Sequence, residues 1–471
     1  MNFELTSIVT WALQAIFTYF IVMHAIYLLL IFLGALGQRS HHKGILFGEF
    51  KRISDSPLTL PVSITIPAFN EEKLIINTVL NVLQLHYPQY EVIVVNDGST
   101  DNTLKLLIDQ FKLFPVQDAF KKHFETKPVR AIYKSLLYPD LVVIDKDNGG
   151  RADANNCATN HSMYPIICQI DADCVLTPDS LFYMIRPFLN NPHVIAATGI
   201  VKPANGLIVK EGRIVHHRLP KKWLALFQEL EYLRSFHWSR AGLVKLRSLL
   251  CMPGAYTVIK KEVFVKIGGA NTKAIIDDFE LTVTVQRYIH EHQSEGDLQI
   301  AFVPDPGCYT EVPDDLRSFA IQRNFWQRTI LQSLIWNRDM ALNPRYGMAG
   351  LFGFPYFFLF EVLSPVIETF VLILAPIAYF MGLASLTEMA LLFTFGVLLG
   401  TLTSISALLL QNYTRLRKEK TADLLRLLLA SLTDHFGYHQ FHMACRLVGI
   451  FQYLILGKKT HAPLPRIGYG S

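Results

Sequence analysis

The apolar run Pro165-Ile166-Ile167-Cys168-Gln169-Ile170 stops abruptly at Asp171-Ala172-Asp173. Residues i and i+2 of a strand point the same way. The two carboxylates therefore leave the strand end together and repel unless a cation lies between them or one is protonated. A hard divalent ion held by these oxygens and by two phosphates is the economical solution. Isolated Asp-x-Asp sequences arise often by chance; one that closes a buried strand, downstream of other polar strand ends, carries more weight. Two such ends precede it. Val62–Ile66 runs into Pro67-Ala68-Phe69-Asn70-Glu71-Glu72, and Val92–Val95 runs into Asn96-Asp97-Gly98-Ser99-Thr100-Asp101. Polar groups on a strand-to-helix turn can reach a nucleotide while the helix N-terminus faces its phosphates. Gly98 permits a tight turn, and Ser99 or Thr100 can cap the next helix. The plain alternative is that Asp97 is a turn residue.

Two other clusters carry ionisable groups. His435, His439 and His442 fall at i, i+4 and i+7, a spacing that could form a metal face on a helix; packing of an amphipathic helix near lipid headgroups is the simpler account. Glu361 and Glu368 are seven apart in an apolar stretch. On one helix they share a face, and intramembrane carboxylates usually line a polar interior.

The elements that must position these residues follow from hydrophobic pattern. Val62–Ile66, Glu91–Val95, Leu141–Ile144, Ile166–Ile170 and Val194–Thr198 read as strands; Leu74–Leu83, Thr103–Phe111 and Asp179–Leu189 read as helices. The alternation implies βαβ units, a mostly parallel sheet with helices on both faces, and ligands beyond the C-terminal strand ends. Apolar stretches flank this region at Ile8–Gly37, Phe354–Leu383 and Leu386–Gln411, each long enough to span a bilayer. A cleaved signal is not expected at the first, because Glu4 precedes it without Lys or Arg. Basic runs at Gln38–Lys43 and Arg415–Lys420 place those sides in the cytosol. Leu424–Leu456 is apolar but interrupted by Asp434, His435, Gly437 and Arg446, which suggests an interfacial hairpin, with two further spans as the alternative. Three regions are expected: a membrane helix at 1–44, a cytosolic domain at 45–340 with interfacial helices near its end, and a membrane region at 341–471. Among 471 residues 51% are hydrophobic and the net charge is only +5; basic residues gather beside apolar runs, which suits membrane lipids and not nucleic acid. Six cysteines without CxxC spacing argue against a zinc site or a disulfide framework.

From Pro61 to Trp336 the order of motifs resembles the family 2 glycosyltransferases, specifically the membrane-bound synthases of cellulose, chitin, hyaluronan and poly-N-acetylglucosamine. The resemblance implies a GT-A type nucleotide-sugar-binding domain, Mg2+ or Mn2+ as cofactor, and a nucleotide-sugar donor. Pro67, Ala68, Asn70 and Glu71 look like the motif that holds base and ribose, and Asp97 like the carboxylate that contacts the nucleoside. Asn148-Gly149-Gly150-Arg151-Ala152-Asp153-Ala154-Asn155 resembles the run along the donor diphosphate, with Arg151 in place of the usual Lys. Asp171 and Asp173 match the metal pair, Asp173 the direct ligand. In Ile276-Asp277-Asp278-Phe279-Glu280, Asp278 matches the catalytic base and Asp277 replaces the usual Glu. Leu250–Tyr256 corresponds to the loop under the acceptor sugar, where Gly254 would allow close approach. In Gln322-Arg323-Asn324-Phe325-Trp326-Gln327-Arg328, Gln322 and Trp326 match the synthase motif, while Phe325 stands where the family has Arg. Arg323 or Arg328 is then the expected substitute.

The expected function is inverting, metal-dependent transfer from a nucleotide-diphosphate sugar, a UDP-sugar by resemblance, that elongates a β-linked polysaccharide at the inner face of the membrane. Export through a small partner subunit or a homodimer is an extension of that reading. Transfer of one sugar to a lipid acceptor is the alternative. A non-catalytic scaffold is disfavoured by the complete set of carboxylates.

Overall fold

In the computed structural model, residues 2–46, 59–117, 121–414, 420–460 and 468 are described. The strands, in chain order, are Val62–Ala68 (β1), Tyr90–Asp97 (β2), Leu113–Val116 (β3), Val129–Ser135 (β4), Leu141–Lys146 (β5), Ile166–Ile170 (β6), Cys174–Leu176 (β7), Val194–Pro203 (β8), Leu207–Lys210 (β9), Arg213–His217 (β10), Tyr256–Lys260 (β11) and Gln299–Thr310 (β12). One sheet takes the order β3-β4-β5-β2-β1-β6-β11-β8-β12-β7, and β9 with β10 forms a separate hairpin. β5, β2, β1 and β6 form a parallel block, connected through helices Ile75–Val82, Thr103–Phe111 and Arg151–His161. β8 pairs with β12 in parallel as well, and antiparallel strands extend the sheet at both ends and between these blocks. The chain winds from β1 through β2 to β5 on one side and returns to β6 on the other. The crevice therefore opens beyond the C-terminal ends of β1 and β6, the switch point of an α/β sheet. This is the α/β, GT-A type fold.

The β-branched runs become strands because both faces are covered. Val62, Ile64, Ile66, Val92, Val94 and Ile170 are fully buried in one core with Ile75, Val79, Leu107 and Phe111 from the helices above. Each such side chain contributes about 1.5–3 kcal/mol on burial, and that covering holds the strand ends in register. Sequence pattern did not disclose β12, whose Val303-Pro304-Asp305-Pro306-Gly307 shifts the register twice against β8.

Among the described residues, helix Asn2–Leu46, a bent segment Ala349–Phe380 and helix Leu386–Thr414 contain three stretches long and apolar enough to cross a bilayer. The first crosses helix Arg240–Lys245 at close range: a Cβ on Gly34 would lie 2.8 Å from the Trp238 carbonyl oxygen, and one on Gly242 2.3 Å from that of Leu30. Small residues at such crossings let backbones meet, so the first long apolar helix is fastened directly to helix Arg240–Lys245, which lies between β10 and β11 in the chain. The second stretch is broken into π-helical turns before Leu363 and a regular helix from Ser364. Glu361 and Glu368 therefore do not lie on one continuous helix face. Glu361 meets Arg446, and Glu368 meets Ser364 and His439. Helices Thr421–Thr433 and Tyr438–Leu454 are joined by a turn at Gly437, whose φ is +95°. They pack on other elements and not mainly on each other, the first on Trp223–Tyr232 and Leu386–Thr414 and the second on Leu316–Trp336 and Ser364–Phe380. At 1.5 Å per residue they reach only about 20 and 26 Å. His435 precedes the second helix, so the three histidines do not share a helix face, and no group of three His, Cys, Asp or Glu among the described residues is arranged to hold a metal. The basic run's residues 415–419 lie outside the described residues. All six cysteines are free thiols.

Candidate active site

The turns after β1 and β2 are built as one unit. Asn70 takes a left-handed conformation, φ +57°, which Asn tolerates better than most residues. Its amide donates to Ser99 Oγ at 3.0 Å, and its Oδ1 accepts from the Thr100 amide at 2.8 Å. Ser99 and Thr100 thus bind the neighbouring turn and do not cap the following helix. Asp101 does that, accepting from the Thr103 amide at 2.9 Å while its other oxygen accepts from the Glu72 amide.

Asp97 is spent on the glycine turn. Its Oδ1 accepts from Lys146 Nζ at 2.6 Å and the Gly149 amide at 3.0 Å, its Oδ2 from the Gly150 amide at 2.7 Å, and its carbonyl from Asn148 Nδ2. Lys146 is fully buried between Asp97 and Asp153, 2.6 Å from each. Burial works against its charge, yet Asp153 and Asp97 hold its pKa above the ordinary lysine value. The motif needs its glycines for steric reasons. A Cβ on Gly98 would lie 2.8 Å from the Asn148 amide nitrogen, one on Gly149 2.5 Å from the Asp153 carboxylate, and Gly150 has φ +87°. Lys146 was not foreseen; its only signal is a cation that, after Asp145, ends a strand begun by Leu, Val and Ile.

Arg151, first residue of its helix, joins the metal motif to the base motif. Nε donates to Asp171 Oδ1 at 2.9 Å, Nη1 to Asp277 Oδ1, and Nη2 to the Gly254 carbonyl at 2.7 Å. Gly254 is required by this guanidinium: a Cβ there would lie 2.5 Å from Nη2. The close approach expected of an acceptor sugar is made by Arg151. Asp277 is almost fully buried and neutralised by Arg151. Asp278 has no such partner; its oxygens accept from the backbone amides of Phe279 at 2.7 Å and Gly254 at 3.3 Å. Burial pushes the Asp278 pKa up, Arg151 opposes this, and Asp277 adds to it; the net direction is upward from the ordinary aspartate value. The two adjacent carboxylates therefore differ: one anchors a cation, and the other, held by backbone amides, is placed to accept a proton.

Asp171 and Asp173 both line the cavity. Asp173 is buried at the end of the sheet and accepts from Thr310 Oγ1 at 3.2 Å. The pair offers only hard oxygen donors, which fits Mg2+ or Mn2+. Two carboxylates cannot complete a coordination shell alone, and phosphate oxygens suit the remainder.

The cavity has a volume of about 940 Å³ and runs from these carboxylates to Tyr356, Phe357 and Glu361 beside the membrane segment. Every residue expected at the site lines it except Arg328. Arg328 points away, donating to the carbonyls of Lys458 and Thr460 at 3.1 and 2.7 Å and to Asn324 Oδ1; it cannot replace the missing Arg at 325. Arg323 does line the cavity, fully buried, with Nη1 2.6 Å from Glu231 Oε1 and its guanidinium 4.4 Å from the Trp326 ring centroid. Phe325 is buried in the same wall. At the deep end Arg446 donates to Glu361 Oε2 at 2.8 Å and to Gln327 Oε1 at 2.7 Å, a pair that sequence alone did not connect.

Comparison with known proteins bears on the family. The family description "Glycosyl transferase family 2" matches residues 63–268, and "Glycosyl transferase family group 2" matches residues 166–403. A poly-beta-1,6-N-acetyl-D-glucosamine synthase of Staphylococcus epidermidis is 27% identical over 265 residues, 56% of this chain and 53% of that protein. One from Staphylococcus aureus strain COL is 24% identical over 315 residues, 66% and 63% of the two chains. The chain thus spans less than two thirds of the length of these relatives. Among solved structures, a mannosyltransferase, PcManGT from Pyrobaculum calidifontis in complex with GDP-Man and Mn2+, aligns with a TM-score of 0.49 at 17% identity, covering 93% of this chain and all of that one. With the second family description covering half of its length and the motif geometry above, this chain belongs to glycosyl transferase family 2.

Proposed function

We propose that the protein is an inverting glycosyltransferase that takes a UDP-sugar and elongates a β-linked polysaccharide at the inner face of the membrane. The observation that carries this reading is Arg151, which ties Asp171 of the strand-end pair to Asp277 beside a free-standing Asp278, in a cavity that continues past Trp326 toward the membrane segment. The acceptor hydroxyl oxygen forms a bond to the anomeric carbon as the bond from that carbon to the diphosphate oxygen breaks, and the electron pair departs with the nucleoside diphosphate. Asp278 takes the hydroxyl proton on its carboxylate, whose orientation the Phe279 and Gly254 amides fix. Arg151 places positive charge where the diphosphate gains negative charge. The turn of Asn148, Gly149 and Gly150, locked by Asp97 and Lys146, presents a rigid surface for the diphosphate, and Asn70 and Glu71 flank the nucleoside. Asp171 and Asp173 would hold Mg2+ or Mn2+, which supplies Lewis-acid stabilisation of the leaving group when bound.

The regions 1–44, 45–340 and 341–471 carry forward as anchor, cytosolic domain and membrane region, with the basic residues after the first span supporting a cytosolic site. Partner subunits or a homodimer for export belong to the same proposal. A second reading, transfer to a lipid acceptor, is favoured by one observation: Tyr356 and Phe357 bring the deep end of the cavity to the membrane segment. The test is to incubate purified protein in vesicles with labelled UDP-N-acetylglucosamine, UDP-glucose or related donors, with and without Mn2+, and to separate products by size and organic extraction. High polymer is expected; label confined to the organic phase overturns the polymer reading, and label released from no donor overturns the enzyme reading.

A further inference from the structure

Asp278 is oriented by the amides of Phe279 and Gly254, but its position also depends on where its helix, Asp277–Glu291, is held. Arg151 binds the first residue of that helix, Asp277. A second anchor follows at Glu280. It is buried, and its carboxylate accepts from Ser333 Oγ and from Asn337 Nδ2, which lies 3.1 Å from Oε2 and 3.3 Å from Oε1. Ser333 and Asn337 belong to the last turn and the C-terminal cap of helix Leu316–Trp336. That helix also carries Gln322 and Trp326, which line the cavity. Glu280 thus ties the helix of the proposed base to a helix of the cavity wall.

Asn337 is the junction of a longer network. Its Nδ2 serves Glu280 and, at 2.9 Å, the Ser333 carbonyl, while its Oδ1 accepts from Arg287 Nε at 2.8 Å. An amide both donates and accepts; a carboxylate at 337 would meet Glu280 with like charge. Arg287 lies two turns beyond Glu280 on the same helix. Its other nitrogens donate to Asp339 and, at 3.0 Å, to the Tyr346 hydroxyl, in the segment that leads into the apolar stretch Ala349–Phe380. Just before the helix, the Ile275 amide donates to Gln332 Oε1 at 2.8 Å, so the same wall helix also holds the approach to Asp277. Glu280, Ser333, Asn337 and Arg287 are not among the residues that line the cavity. A buried carboxylate set among neutral donors is weak evidence for stability, whereas a fully satisfied polar network rigidifies the elements it joins.

We propose that Glu280 is a positioning residue for the transfer, acting through Asp278. Its bonds to Ser333 and Asn337 set the distance between the base and the cavity wall, and Arg287 extends that hold to the chain entering the membrane region. This rests on the transferase reading above, and the experiment separates the two. Full-length protein in vesicles is assayed for transfer from labelled UDP-N-acetylglucosamine and UDP-glucose, with the folded fraction counted by gel filtration and thermal melting. Glu280→Ala should lower kcat about ten- to a hundredfold, since misplacement by about 1 Å costs about 10²-fold, and leave the donor KM within about twofold. Glu280→Gln keeps an acceptor for Ser333 and should recover most of that kcat. In an Asp278→Asn background, Glu280→Ala should lower the residual rate less than about twofold, because residues that act as a unit are not additive. Asn337→Ala should lower kcat too, and the Glu280→Ala, Asn337→Ala double variant should lose little more than Glu280→Ala alone. An unchanged kcat in Glu280→Ala, a donor KM that rises in step, a Gln variant as impaired as Ala, additive losses with Asn337→Ala, or an equal loss in the Asp278→Asn background would each overturn the proposal. If Glu280→Ala does not fold, Ser333→Ala, which removes a single donor, takes its place, and an unchanged kcat there is equally fatal. Wild-type protein that transfers sugar from neither donor takes down the transferase reading itself.

Discussion

The two halves of the cavity are wired differently. Toward the ends of β1, β2 and β6, the polar groups are held by one another: Asp97 by Lys146 and two amides, Asp153 by Lys146, Asp277 by Arg151. Toward the membrane segment the pairing is less complete: Arg240 Nη1 and Gln322 Oε1 are buried without a hydrogen-bond partner. In the proposed function the first half receives a donor whose diphosphate is always the same, and a rigid surface serves it by removing reorganisation from the reaction. In the same proposal the second half receives the acceptor, which changes from one turnover to the next.

That contrast can be broken first at the base. Asp278→Asn should lower kcat by about 10² to 10⁴, the range for loss of a general base, with little change in either KM; steady-state rates at saturating donor decide it. Because the Asp278 pKa is raised, chiefly by burial, the acid limb of wild-type activity should lie above the ordinary aspartate value of about 3.9. The sign for stability is opposite to that of a salt-bridged carboxylate. A raised folded pKa gives stability that is present at low pH and lost as pH rises through it, so Asp278→Asn should melt higher than wild type at neutral pH.

Lys146→Met tests whether the donor half is held by its own charges. It leaves Asp97 and Asp153 buried without their cation, a loss of about 3–5 kcal/mol, seen as a lower melting temperature or failure to accumulate folded protein. Retention of wild-type stability would show that the glycine turn stands without its ion triad. Gly254→Ala pushes a methyl against Arg151 Nη2 while the rest of that guanidinium is pinned by Asp171 and Asp277. Displacement of about 1 Å at such a point costs about 10²-fold in rate, with stability changed far less. Arg328→Ala should have the smallest effect on rate: it removes buried contacts to the Lys458 and Thr460 carbonyls, and kcat/KM should stay within about twofold, since a group that does not line the cavity removes no transition-state contact. A large loss of donor affinity in that variant would return Arg328 to the site.

Much of this was legible because it is local. Asp171 and Asp173 close one strand, so residue type and spacing disclosed them, while Asn148 to Arg151 in one turn and Asp277 and Asp278 opening one helix were legible through the family resemblance. The strands β1, β2 and β6 were equally legible, since burial on both faces demands unbroken apolar runs. β12 escaped because its prolines break that pattern. Spacing misled at Arg328, which shares a motif with Trp326 but faces the other way around the helix, and at Glu361 and Glu368, where π-helical turns undo the heptad register.

By itself, then, the sequence determined the order of the motifs, the apolar spans, and the chemistry of each strand end, because those depend on neighbours along the chain. Only the tertiary structure decided which charges neutralise which. Lys146 meets Asp97 and Asp153, Arg151 meets Asp171 and Asp277, Arg446 meets Glu361, and Arg240 is left over. Coulomb attraction and hydrogen bonding depend on distance in space, and packing of sheet and membrane helices brings together groups far apart in the chain.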